Sequence, residues 1–177
     1  NTIIIAPTRE LAQQIDQQIE GFSYFLDISS IPVYGGGDGH AWEQQKKALN
    51  EGADMIIATP GRLLSMLSMT GKLNLSHVKH IVLDEADRML DMGFINDVKK
   101  IIATLPQKRQ TLLFSATMPA DILKLASTIL YKPATVEVTP TSSTVDKIQQ
   151  SLYYVEKNDK KKLLNHILKD KEIQSAL

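Results

Sequence analysis

Cysteine is absent from all 177 residues. That excludes a disulfide framework and thiolate metal sites, and makes a reducing cytosol, hence a cytoplasmic location, the simplest setting. An excess of charge is absent too: 20 Lys and Arg balance 20 Asp and Glu. Bulk charge therefore gives no support for nucleic-acid binding, which would have to come from local backbone N–H groups and a few Arg or Lys. No apolar run approaches the roughly 20 residues of a membrane span, so no membrane partner is expected. The opening Asn1-Thr2-Ile3-Ile4-Ile5 lacks the basic start and long apolar stretch of a signal peptide. It reads as a strand entered abruptly, as if cut from something longer. What is present is an ordinary globular composition, 43% hydrophobic and 23% charged. The length suits one medium domain with a real core, or one domain plus a short extension.

Short apolar runs alternate with segments of helical period. The runs predict strands over Thr2–Ala6, Ile31–Tyr34, Met55–Ala58, His80–Leu83, Thr111–Phe114 and Thr135–Val138. The periodic segments predict helices over Glu10–Ile19, Trp42–Asn50, Gly61–Leu67, Ile95–Thr104 and Asp121–Leu130. This alternation indicates βαβ units, an α/β fold with a mostly parallel sheet. The polar run Thr139-Pro140-Thr141-Ser142-Ser143-Thr144 reads as a linker. Beyond it, Ile148–Val155 reads as a strand and Lys160–Lys169 as a helix with Leu163, Leu164, Ile167 and Leu168 on one face. The expected division is 1–138 as one domain, 139–147 as linker, and 148–177 as the start of a second.

The distinctive loops share one position. Pro7-Thr8-Arg9-Glu10 follows the first strand, Gly35-Gly36-Gly37 the second and Thr59-Pro60-Gly61-Arg62 the third. Asp84-Glu85-Ala86-Asp87 follows the fourth, and Ser115-Ala116-Thr117 the fifth. Each lies at the carboxyl end of a predicted strand, where open α/β sheets bind ligands. Thr59 before Pro60 is a favourable helix start, and free N–H groups, helix dipole and Arg62 together suit an anion. Pro7-Thr8-Arg9 offers the same arrangement, and the glycines allow close approach of backbone. Two carboxylates after an apolar strand suit Mg²⁺ and water activation.

Each loop also has a plain reading. Thr-Pro helix starts are common, glycine runs usually just turn, and a single arginine is usually solvated. Asp84 and Glu85 could cap a helix, and Ser115 and Thr117 could be turn residues before Pro119. Five loops at one edge favour the functional reading. Other candidates fail. Gly71-Lys72 lacks both the earlier glycine and the following hydroxyl of a phosphate loop, and His40 breaks a dinucleotide fingerprint. The histidines His40, His77, His80 and His166 lack zinc spacing. Tyr24, Phe25, Tyr153 and Tyr154 are expected to pack rather than stack bases.

Pro-Thr-Arg-Glu-Leu-Ala (7–12), Gly-Gly (35–36), Thr-Pro-Gly-Arg-Leu (59–63), Asp-Glu-Ala-Asp (84–87), Asp-Met-Gly-Phe (91–94) and Ser-Ala-Thr (115–117) resemble, in order and spacing, the motifs of DEAD-box RNA helicases. The resemblance implies a RecA-like three-layer α/β/α domain. It implies that Asp84 positions Mg²⁺ and Glu85 orients or deprotonates the water attacking ATP. Asp87 would link to Ser115 and Thr117, and toward a second RecA-like domain. Pro7, Thr8, Arg9, Gly35, Gly36, Thr59, Pro60, Gly61 and Arg62 would line an RNA backbone path, without reading sequence.

The family's Gln motif and Gly-Lys-Thr phosphate loop are expected upstream of Asn1, and the second-domain motifs downstream of Leu177. The chain alone is therefore expected to hydrolyse no ATP, and the sheet to lack the phosphate-loop strand and expose an edge around Leu112–Phe114. A non-catalytic RNA-clamp or partner-docking module is the alternative, disfavoured by the intact Asp84-Glu85 pair. A DNA-directed relative is a third reading.

Overall fold

Runs of Ile, Val and Leu too short for a buried helix become strands, each made complete by its neighbours. They are β1 (Thr2–Ile5), β2 (Ser30–Val33), β3 (Met55–Ala58), β4 (His80–Leu83) and β5 (Gln110–Leu113). The computed structural model describes residues 1–36, 39–70, 73–138, 151–169 and 175. The strands form one parallel sheet in the order β2-β3-β1-β4-β5. The helices between them are α1 (Arg9–Ser23), α2 (Gly39–Glu51), α3 (Pro60–Thr70), α4 (Ala86–Asp91), α5 (Ile95–Ala103) and α6 (Ala120–Ile129).

The direction of each connection decides which face its helix covers. Only β1 to β2 runs leftward along the sheet; β2 to β3, β3 to β4 and β4 to β5 all run rightward. With right-handed crossovers, α1 must lie alone on one face and the others opposite. The core divides that way. Ala6, Ala12 and Ile57 pack with Ile4, Leu11 and Ile15 on the α1 side. Ile3, Ile5, Ile56, Ile81 and Leu83 pack with Leu63, Met66, Val98, Ile101 and Ile122 on the other. Alternate residues of one strand thus feed different layers. This is the three-layer α/β/α arrangement expected from the sequence, with β5 at one edge of the described sheet.

Contacts divide the chain into two units, Asn1–Pro133 and Ala134–Leu177. In the second, a 3₁₀ turn (Lys157–Asp159) leads into α7 (Lys160–Ile167), with Lys162 paired to Asp159 at 2.9 Å. Two expected strands are corrected there. Thr135–Val138 is irregular, and so are residues 151–155 of Ile148–Val155, whose first three residues lie outside the described set. A strand exists only by pairing, and these residues pair with none of the five described strands; Val136 and Val138 stay exposed. The linker 139–147 and Gly71-Lys72 also lie outside the described residues. Tyr24, Phe25, Tyr153 and Tyr154 do not pack into the core: all four are exposed, and Tyr24 meets only Phe25 edge-on at 4.8 Å among described ring contacts.

Candidate functional site

The strand registers bring the carboxyl ends into one row: Val33 beside Ala58, Ala58 beside Ile5, Ile5 beside Leu83, Leu83 beside Leu113. Hydrogen bonds carry that row one residue further. Thr59 N–H donates to Val33 O (3.0 Å), Ala6 N–H to Ala58 O (2.9 Å), Asp84 N–H to Ile5 O (3.0 Å) and Phe114 N–H to Leu83 O (2.8 Å). All five sequence-predicted loops therefore start from fixed points on one edge. Connections leave β1 and β4 in opposite directions, so the crevice of this sheet opens between the Thr8 and Asp84 loops. The edge has two halves. The loops after β2, β3 and β1 carry glycine and arginine; those after β4 and β5 carry the acids and hydroxyls.

In the acidic half, Asp84 Oδ1 accepts the Glu85 N–H at 3.0 Å. Glu85 occupies the left-handed region (φ 52°, ψ 54°) at the start of α4 and makes no side-chain cap there. Its Oε2 instead accepts from Arg88 Nη1 at 3.0 Å. The cap reading of this acid therefore fails, and a non-glycine residue holds a conformation that costs roughly 1–2 kcal/mol. Asp87 is tied across to β5's loop. Its Oδ2 accepts from Thr117 Oγ1 (2.7 Å) and Thr117 N–H (2.8 Å). Its own N–H donates to Ser115 Oγ (3.0 Å), and that hydroxyl donates to Thr117 O (2.7 Å). The Thr117 hydroxyl, ahead of the Thr117 and Arg88 N–H groups, holds the Asp87 carboxyl below its ordinary value, against the opposing pull of partial desolvation.

The short helix α4 was missed by periodicity, being six residues long. Its end explains Asp91-Met92-Gly93-Phe94. Gly93 N–H donates to Leu90 O and Phe94 N–H to Met89 O, both at 2.9 Å, with Gly93 at φ 76°. This is a Schellman ending, which needs the glycine. It turns the chain into α5 and delivers Phe94 to the glycine-rich half of the edge.

In that half, Thr8 caps α1 by accepting the Leu11 N–H at 3.3 Å, placing Arg9 in its first turn beside buried Pro7. Thr59 O accepts from Leu63 N–H at 3.1 Å, so α3 starts at buried Pro60 and presents Gly61 and Arg62. Gly36 has φ 88°, the conformation for which glycine is required; Gly37 lies outside the described residues. Arg9 lies over the Tyr34 ring at 4.9 Å and Arg62 over the Trp42 ring at 4.7 Å. A cleft of about 500 Å³ opens beside Arg62 and Trp42, lined also by Gly35, Thr59, Gly61 and Phe94, among others. Tyr34 and Trp42 lie outside every motif quoted from the sequence, while Phe94, which lines the cleft, ends the Asp-Met-Gly-Phe run. The ring contacts join residues far apart in sequence, and no periodicity announces them.

Among the described residues no group of three or more His, Cys, Asp or Glu could hold a metal. Mg²⁺ needs no such cage, since one or two carboxylates, substrate phosphates and water usually bind it. The half-buried carboxylate of Asp84, at the mouth of the crevice, fits that mode.

Residues 1–126 match the DEAD/DEAH box helicase family. The RNA helicase CrhR of Synechocystis sp. is 42% identical over 176 residues, covering 99% of this chain and 35% of the relative. The DEAD-box ATP-dependent RNA helicase CshA of Geobacillus kaustophilus is 43% identical over 160 residues, covering 90% of this chain and 33% of the relative. A crystal structure of a hypothetical ATP-dependent RNA helicase from Sulfolobus tokodaii superposes with a TM-score of 0.67 at 37% identity, covering 74% of this chain and 38% of that one. The chain thus spans about a third of the length of the curated relatives it matches. With five loops set on one edge in the order of the motifs, and a family match over most of its length, this chain belongs to the DEAD/DEAH box helicases.

Proposed function

We propose that this chain is part of an ATP-dependent RNA helicase, in which one half of the sheet edge grips an RNA backbone and the other serves ATP hydrolysis. The observation that carries this is the two-part edge itself: arginines and glycines beyond β2, β3 and β1, acids and hydroxyls beyond β4 and β5, meeting at the crevice between β1 and β4. The relatives' names support the same reading.

In this reading Pro7, Thr8, Arg9, Gly35, Gly36, Thr59, Pro60, Gly61 and Arg62 take RNA phosphates through N–H groups, hydroxyls and guanidinium groups. That positions a strand without reading its bases. Asp84 would hold Mg²⁺, which supplies charge neutralisation on the transferring phosphoryl group. Glu85 orients the attacking water and accepts its proton once released from Arg88. Asp87, Ser115 and Thr117 tie the acidic loop to β5, so that movement at one is felt at the other. A second RecA-like domain would begin at residues 148–177, beyond the linker 139–147; the chain divides into two units, with the boundary at Ala134. A cytoplasmic setting goes with this reading, and no helix among the described residues is long and apolar enough to cross a membrane.

The chain contains no Gly-Lys-Thr or Gly-Lys-Ser sequence, so within it the β- and γ-phosphates lack their usual Lys and hydroxyl ligands. Alone, it is expected to release phosphate from ATP at the background rate, with or without RNA. In the full-length protein, RNA should stimulate ATP hydrolysis and Glu85→Gln should reduce it by two or more orders of magnitude, the scale of a lost general base. Hydrolysis by the full-length protein that is indifferent to Glu85→Gln would refute the assignment. Stimulation by DNA equal to that by RNA would refute the choice of nucleic acid.

A further inference from the structure

We infer that Tyr34 and Trp42 are positioning residues for the RNA backbone, each holding one arginine of the groove where a phosphate is met. The inference rests on the RNA reading above and adds two residues outside the motifs.

Arginine is long, and ordering it on binding has an entropic cost. Here both guanidinium groups are already seated. Arg62 lies over the Trp42 face at 4.7 Å, and a Cβ on Gly35 would touch its Nε and Nη2 at 4.0 Å. Arg9 lies over the Tyr34 face at 4.9 Å, and a Cβ on Gly36 would touch its Nη1 at 3.6 Å. Each cation therefore has an aromatic ring and one glycine of the same turn close beside it. No carboxylate is ion-paired with either among the described residues. A ring face attracts the guanidinium through its π electrons and takes up none of its N–H donors, which stay available to phosphate.

The rings themselves are held. Gln13, one helical turn beyond Arg9, donates from Nε2 to Tyr34 Oη at 2.8 Å. Gln45, one turn beyond Trp42, donates to Tyr34 O at 3.3 Å. Trp42 also packs on the main core. The helices α1 and α2 each contribute one clamp to the same glycine turn, and the rings transmit that order to the arginines.

Trp42 is the chain's single tryptophan, so its environment can be read directly. In the full chain without RNA, the Arg62 Nε–H resonance should lie upfield through the ring current of Trp42 and return toward its ordinary position in Trp42→Leu. Labelled decauridylate then reports binding by anisotropy. Trp42→Leu should weaken it about two- to five-fold, the worth of an exposed cation–π contact, and Trp42→Phe should recover most of that. In the Arg62→Ala background, Trp42→Leu should add nothing, because the residue it positions is gone. Equal, additive losses from the two substitutions, or an unshifted Arg62 resonance, would overturn the inference. Failure of the unsubstituted chain to bind RNA would instead overturn the RNA reading, with the resonance still reporting the packing. If Trp42→Leu does not fold, the resonance of the unsubstituted chain and the Trp42→Phe titration decide.

Discussion

Asp87 gathers more of the site than any other residue, accepting from Thr117 twice and from Arg88 N–H, and donating its own N–H to Ser115. A carboxylate so bonded is favoured in its charged form. Its folded value is depressed, mainly by the Thr117 hydroxyl. The contribution to stability is therefore present above the unfolded-state value near 3.8 and is lost as pH falls through the lower folded value. Removing the hydroxyl with Thr117→Val should raise the Asp87 value toward the ordinary one, as carboxyl carbon chemical shifts followed against pH would show. An unchanged titration would mean that the hydroxyl is not the main partner. Sequence reading paired these residues only by family resemblance; the 2.7 Å contact joins positions 30 apart, and nothing local foretells it. The arginines behaved likewise. A lone Arg9 or Arg62 reads as solvated, and only the fold places Tyr34 and Trp42 beneath them.

At the scale of elements, the strands and loops were legible because a buried parallel strand is a continuous aliphatic run, and motif residues cluster where such runs end. Thr135–Val138 shows the limit of that signal: the run has strand composition but pairs with none of the described strands. The helix α4 shows the converse, since six residues are too few to display a period, yet packing buries Ala86 and Met89 and holds it. Its Schellman ending makes a sharp forecast. Gly93 has φ 76°, so Gly93→Ala should destabilise the fold by about 1 kcal/mol, measurable by urea denaturation. A neutral result would show that the α4–α5 turn tolerates a side chain. Nothing meets a Cβ built there within 4 Å, so the effect isolates backbone conformation from crowding.

At the scale of the whole molecule, a zero net charge coexists with a strongly patterned edge, which is why composition was silent about nucleic acid. The described sheet also ends at β5, with Phe114 exposed just beyond it. Unpaired backbone along an edge strand is a template for association. The 177-residue chain should therefore self-associate with rising concentration in sedimentation velocity, and Leu112→Lys should reduce that. A strictly monomeric chain at high concentration would show the edge to be protected.

The division of the sheet edge into an RNA half and an ATP half underlies every role assigned to these loops. The most direct test is an amide chemical-shift map of the chain titrated with a short single-stranded RNA. Shifts should concentrate at Thr8–Arg9, Gly35–Gly36 and Thr59–Arg62, spare Asp84–Asp87, and weaken as salt rises. Shifts centred instead on the acidic loop, or on the basic cavity lined by Lys79, Lys108 and Arg109, would contradict it.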